Sequence, residues 1–145
     1  MVKFEQTSEG KRATISISNM CDKFRSACRD GLYEAGRIAK DTASQGMLYS
    51  KKSGRFYKYK RVLKQASAPG EYSANRSGTG RKSIDFQVEG FRRMVFGAGV
   101  LYMKWQEDGT VNMGARENLG QAVRQSSQEV LTYLKRRLDI ELKRG

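Results

Sequence analysis

From Ile84 to Glu89 the chain alternates without a slip, with Ile84, Phe86 and Val88 on one side and Asp85, Gln87 and Glu89 on the other. A period of two is what a strand with one buried face requires. A few residues on, within Arg92 to Ala98, Met94, Phe96 and Ala98 repeat the spacing. Residues directly opposite in an antiparallel pair share a face, so Val88 must meet Met94, Phe86 must meet Phe96, and Ile84 must meet Ala98. That register demands a three-residue loop, Gly90-Phe91-Arg92, and leaves Phe91 exposed at its tip. An aromatic side chain so placed is a candidate contact for another subunit.

Two long helices flank this pair. From Asn19 to about Gln45, Met20, Phe24, Ala27, Gly31, Ala35, Ile38 and Thr42 recur every three or four residues and draw one stripe down a helix. Ser18 or Asn19 offers the capping oxygen, and Gly46 is the expected stop. Small residues in the stripe allow another backbone to approach closely. Beyond Gly114 a second helix is expected to run to about Lys143, with Leu119, Val123, Val130, Leu134 and Leu138 at helical spacing and Arg116 and Glu117 in its first turn. Lys135, Arg136, Arg137, Lys143 and Arg144 near its end suit the negative pole of the helix dipole. Ahead of the first helix, Val2 to Gln6 and Ala13 to Ile17 read as short strands that pair as a hairpin. Cys21 and Cys28 lie two helical turns apart, about 10 Å and too far for a disulfide. With Met20 and Phe24 beside them, they read as free thiols in core packing rather than as metal ligands.

Charge is the second constraint. The net charge is +13, and between Lys51 and Lys82 ten basic residues face a single acid, Glu71. From Met47 to Lys82 periodicity fades, and a structureless stretch of that length points to function, disorder or ordering by a neighbour. Inside it Arg55, Phe56, Tyr57, Lys58, Tyr59, Lys60, Arg61 and Lys64 interleave cations with aromatics, and Arg61-Val62-Leu63 suggests a brief strand. A twisted, solvated hairpin arm is the plainer reading. Stacking of single-stranded nucleic acid, or an acidic protein partner, are the others.

Catalysis finds little support. There is no histidine, which removes the commonest general base and metal ligand. Glu107 and Asp108 are adjacent, and in an extended segment adjacent side chains point opposite ways. No serine stands in a nucleophile-elbow context and no phosphate-loop pattern occurs. The expectation is a non-enzyme without cofactor or metal. At 145 residues the chain suits one domain, 1–145, with its basic arm at about 47–82. No run approaches the length of a membrane span, and the first residues have no apolar core of a signal peptide.

The stretch Leu101 to Arg116, LYMKWQEDGTVNMGAR, joins these parts: an amphipathic aromatic segment, a sharp turn at Asp108-Gly109, and a helix start at Ala115-Arg116. Its order of Tyr102, Trp105, Glu107, Gly109-Thr110, then Met113 and Ala115-Arg116, resembles the Tyr-x-x-aromatic-x-Glu-x-Gly-Thr and Met-x-Ala-Arg run of the tail-completion or head–tail joining proteins of tailed bacteriophages. Ala68-Pro69-Gly70-Glu71 and Ser77-Gly78 through Ser83-Ile84 resemble a second family segment, with Gly80 where leucine is usual. Ala115-Arg116-Glu117-Asn118-Leu119 keeps part of the family's Ala-Arg-Pro-Phe-Leu. The resemblance covers roughly Ser50 to Leu119.

It implies a structural virion protein, a homo-oligomer of six copies closing as a ring in the phage neck. Other neck, portal-side or tail-tube proteins would be partners, and the basic loop would face either an acidic neighbouring ring or, in a sequence-independent contact, the DNA in the channel. The protein would reside in the virion, and in the host cytoplasm during assembly. Tyr102, Trp105, Glu107, Gly109, Thr110, Met113 and Arg116 would either build the subunit core at the junction or meet the adjoining subunit, and the bulk of Trp105 favours the core. A strand from Arg61 to Ser67 would add to a neighbour's sheet. The fold expected is α+β: an antiparallel sheet packed against a long N-terminal and a long C-terminal helix, with a long basic loop or arm that becomes ordered when copies close around a conduit.

Overall fold

The computed structural model describes the backbone of residues 8–144 and the side chains from residue 19 onward. Helix α1 (Ser8–Tyr49) is followed by strands β1 (Phe56–Tyr59) and β2 (Val62–Gln65), a short helix α2 (Thr79–Lys82), strands β3 (Ile84–Glu89) and β4 (Arg93–Ala98), helix α3 (Leu101–Asp108) and helix α4 (Asn118–Lys143). The fold is α+β, and among the described residues the strands form two separate two-stranded antiparallel sheets, β1–β2 and β3–β4.

The β3–β4 register pairs Val88 with Met94, Phe86 with Phe96 and Ile84 with Ala98 across the loop Gly90-Phe91-Arg92, as the alternation requires. Phe91, however, is half-buried, with Arg25 of α1 5.6 Å and Arg92 5.0 Å from its ring centroid. It is engaged by cations of its own chain rather than presented bare.

Helix α1 begins earlier and ends later than its stripe suggests. Ala13–Ile17 is helical, not a strand, and the capping position expected at Ser18 or Asn19 lies inside the helix. Its proposed hairpin partner, 2–6, lies outside the described residues. Gly46 does not stop the helix, which continues to Tyr49. A β-carbon there would sit 2.4 Å from the Tyr72 ring, so this glycine serves a close approach and not a chain reversal. Helix α4 starts at Asn118, leaving Arg116 before it and Glu117 at its N-cap.

The two long helices run antiparallel: Asp30 pairs with Arg137 at 3.1 Å, and Ala43 and Ala122 share the core. Carried back along α1, this register sets the last turn of α4 opposite about Asp22. Met20, Cys21 and Phe24 are accordingly exposed and not core, and Cys28 is half-buried. Both thiols are free. The core gathers Ala43, Met47, Tyr72, Ile84, Met103 and Ala122, with Phe96, Ala98, Val100 and Leu119 packed around it. It sits where the C-terminal third of α1 crosses β3, α3 and the start of α4. No helix among the described residues is long and apolar enough to cross a membrane.

Candidate assembly surface and basic arm

The junction is helical where the sequence suggests an extended segment. Leu101–Asp108 makes two turns of α3, and this reverses the sides of its bulky residues. Met103 is 2% exposed and enters the core, whereas Trp105 is 52% and Leu101 67% exposed. Leu101 and Trp105 are one turn apart and therefore neighbours on one face, with Lys104 and Asp108 on the same outward stripe. The core role favoured for Trp105 is thus taken by Met103. Tyr102 and the sulfur of Met103 close on Gly80, where an added β-carbon would stand 2.8 Å from each. Beside this face lies a surface hollow of about 500 Å3 lined by Ala98, Val100, Leu101, Met103 and Leu119 among others.

Gly109 ends α3 at φ +78°, its N–H donating to Trp105 O at 2.9 Å. A β-carbon would meet Ala115 N at 2.9 Å. Thr110 and Met113 exchange two backbone hydrogen bonds, 2.8 and 3.1 Å, around a loop that leaves Val111 fully exposed. Glu107 has a defined role: its carboxylate accepts from Leu119 N at 3.0 Å and Gly120 N at 2.7 Å. These are donors of the first turn of α4 that no intrahelical carbonyl reaches, and the negative charge meets the positive pole of that helix. Glu107→Ala is expected to lower stability by about 1–2 kcal/mol, read as a shift in the urea midpoint, with a substantial part of that loss in Glu107→Gln, whose amide offers one acceptor oxygen where the carboxylate offers two.

Arg116 ties the junction to the arm. Its Nε donates to Ser67 Oγ at 2.8 Å, one Nη to Ser67 O at 2.8 Å, and the other to Gly114 O at 3.1 Å. Next to it Asn118 accepts from Ser73 N at 2.7 Å and donates to Ser73 Oγ at 2.9 Å and Arg116 O at 3.0 Å. Neither Asn118 nor the two serines carries a pattern in the sequence that would have marked it.

Within the stretch 47–82 the basic and aromatic part is a hairpin arm, the plainer of the readings its residues allow. Strands β1 and β2 pair Phe56 with Gln65, Tyr57 with Lys64, Lys58 with Leu63 and Tyr59 with Val62. The partner of Val62–Gln65 is therefore β1 of the same chain, and the strand seen as Arg61-Val62-Leu63 begins one residue later. At the base, Glu71 accepts from Ser53 N at 3.0 Å, from Ala68 N at 2.8 Å and from Ser53 Oγ. Lys52, its ammonium held below its usual pKa by burial, donates to Tyr72 O at 2.8 Å. The base of the arm is thus held by contacts within one chain.

The Ser53 hydroxyl, followed by backbone donors, holds the Glu71 carboxyl below its ordinary value of 4.5. A carboxylate with a depressed folded pKa contributes stability above its ordinary value, and that contribution is lost as pH falls through the lower folded one. Proteolysis within 50–66 is expected to accelerate below about pH 4 in the parent, and to be fast at every pH in Glu71→Ala.

Register places the arm's residues on two faces. Phe56, Lys58, Leu63 and Gln65 share the outer one, where Phe56 is 61% and Leu63 68% exposed. Tyr57 and Tyr59 lie on the other and are half-buried. The Tyr59 ring is surrounded by Arg76, Lys64 and Lys60 at 4.5, 5.4 and 5.6 Å from its centroid. The aromatics therefore form no continuous platform for unpaired bases, and the most central one is already occupied by cations. Lys60 and Arg61 form the tip, both with positive φ, 46° and 66°.

Comparison with protein-family models, with curated proteins and with solved structures finds no match to this chain.

Proposed function

We propose that this chain is a structural subunit of a ring at the head–tail junction of a tailed bacteriophage, present in the virion and acting by assembly rather than by catalysis. The reading rests on the motif resemblance, and one structural observation carries it furthest. Among the apolar surfaces that the described residues leave open to solvent are two unlike patches, the Leu101 and Trp105 face of α3 and the Phe56 and Leu63 face of the arm. Two different patches that fit each other make a head-to-tail contact, which closes into a ring when the rotation allows. Lys58 lies opposite Leu63 and two residues from Phe56, and the α3 stripe carries Asp108 as well as Lys104, so Asp108 offers Lys58 an opposite charge at the edge of the contact.

The test is a pair of cysteines in a chain freed of its own two by Cys21→Ser and Cys28→Ser. Leu63→Cys and Leu101→Cys together are expected to give a ladder of disulfide-linked species ending at the ring number, and either alone to give no ladder. An oligomer of defined size without the ladder would refute this pairing of faces. A chain that stays monomeric at high concentration and inside particles would refute the ring.

A further inference from the structure

We propose that the tip of the β1–β2 hairpin contacts the phosphate backbone of duplex DNA, with Lys60 and Arg61 as the leading cations and Arg55 behind them. The first ground is unbalanced charge. Ten basic residues lie between Lys51 and Lys82, and the one acid there, Glu71, is spent on Ser53 and Ala68. Among the described residues, no ion pair involves a basic side chain of this segment. Like charges gathered around Tyr59 repel one another, and an anionic surface relieves that repulsion.

The second ground is the turn. A two-residue hairpin loop with positive φ at both positions favours Asn-Gly, because other side chains crowd the backbone there. Lys60 and Arg61 occupy it at φ 46° and 66°. Two long, exposed cations are kept at the tip of the hairpin in a conformation that disfavours them, which points to a use for the charge. The aromatics, split between opposite faces, argue against single strands, whereas a two-stranded ribbon fits the major groove of a duplex.

The proposal deepens the ring reading, resting on it only for where the duplex would be met, namely in the conduit. Purified full-length protein is titrated against a labelled duplex of about two helical turns over a salt series, with oligomeric state measured at the same concentrations. The parent is expected to bind with a steep salt dependence. Lys60→Asn with Arg61→Gly is expected to raise the melting temperature by a few degrees while lowering affinity and reducing the salt slope by about 2, near 0.9 for each phosphate no longer neutralised. Lys143→Asn with Arg144→Gly removes the same charge from the end of α4 and is expected to leave the slope nearly unchanged.

No binding by the parent at low salt, or an unchanged slope in the tip variant, would overturn the assignment. So would polyglutamate competing as well as duplex, which would indicate an acidic protein instead. DNA binding with the expected slope by a chain that is monomeric at high concentration and inside particles would leave this inference standing and remove the ring.

Discussion

Replacing Asn118 with leucine is expected to cost about 3–5 kcal/mol, enough to threaten a domain whose whole stability is of order 5–15 kcal/mol. Leucine nearly matches the volume, so the loss is not a cavity. Asn118 is 0% exposed, and its side chain satisfies Ser73 N and Ser73 Oγ, while Arg116 O keeps the residue's own backbone N–H at 2.8 Å whatever the side chain. A buried polar group left without a partner loses about 1–3 kcal/mol, and relaxation around the site recovers part of the sum. The measurement is the urea midpoint, with hydrogen exchange to locate the damage. Because Ser73 lies on the segment returning from the arm and Arg116 clamps Ser67, exchange is expected to rise first at 66–75. Uniform loss of protection would instead mean that Asn118 supports the core alone.

Gly36→Ala is expected to destabilise by about 2 kcal/mol, although alanine is the better helix former by about 1 kcal/mol. The β-carbon would stand 2.2 Å from Phe86 Cδ2 and 2.5 Å from its Cγ, inside the body of the ring. Phe86 cannot swing away freely, since its ring meets Tyr33 edge-on at 5.2 Å and lies in the middle of β3. Overpacking of this kind costs about 1–3 kcal/mol, and occasionally more. Gly97→Ala is the control: a β-carbon there meets nothing within 4 Å, so that variant is expected to be neutral or slightly more stable. A gain in Gly36→Ala would mean that α1 and β3 are free to separate.

The parts legible in the residues are those where one local period fixes the answer. The β3–β4 register follows from strict alternation, because a slip of one residue would turn every apolar side chain outward. The two long helices follow from spacing in the same way, although the ends of α1 do not. Gly46 reads as a stop only while the Tyr72 ring that fills its place is unknown. The junction shows the limit most clearly: LYMKWQED can be drawn as strand or helix, and bulk makes Trp105 the natural core residue. In α3 the buried position is Met103, and Trp105 is left for solvent or a partner. Likewise Glu107 looks like a member of a contact motif until Leu119 and Gly120 arrive beside it.

By itself, then, the sequence determined the periods, the pairing of β3 with β4, the concentration of positive charge and the lack of histidine chemistry. Tertiary structure alone decided which side of α3 faces inward, what closes the base of the arm, and which carboxylate caps α4. The reason is range: a period is set by neighbours a few residues along the chain, while burial and hydrogen-bond partners are set by segments that are distant in sequence.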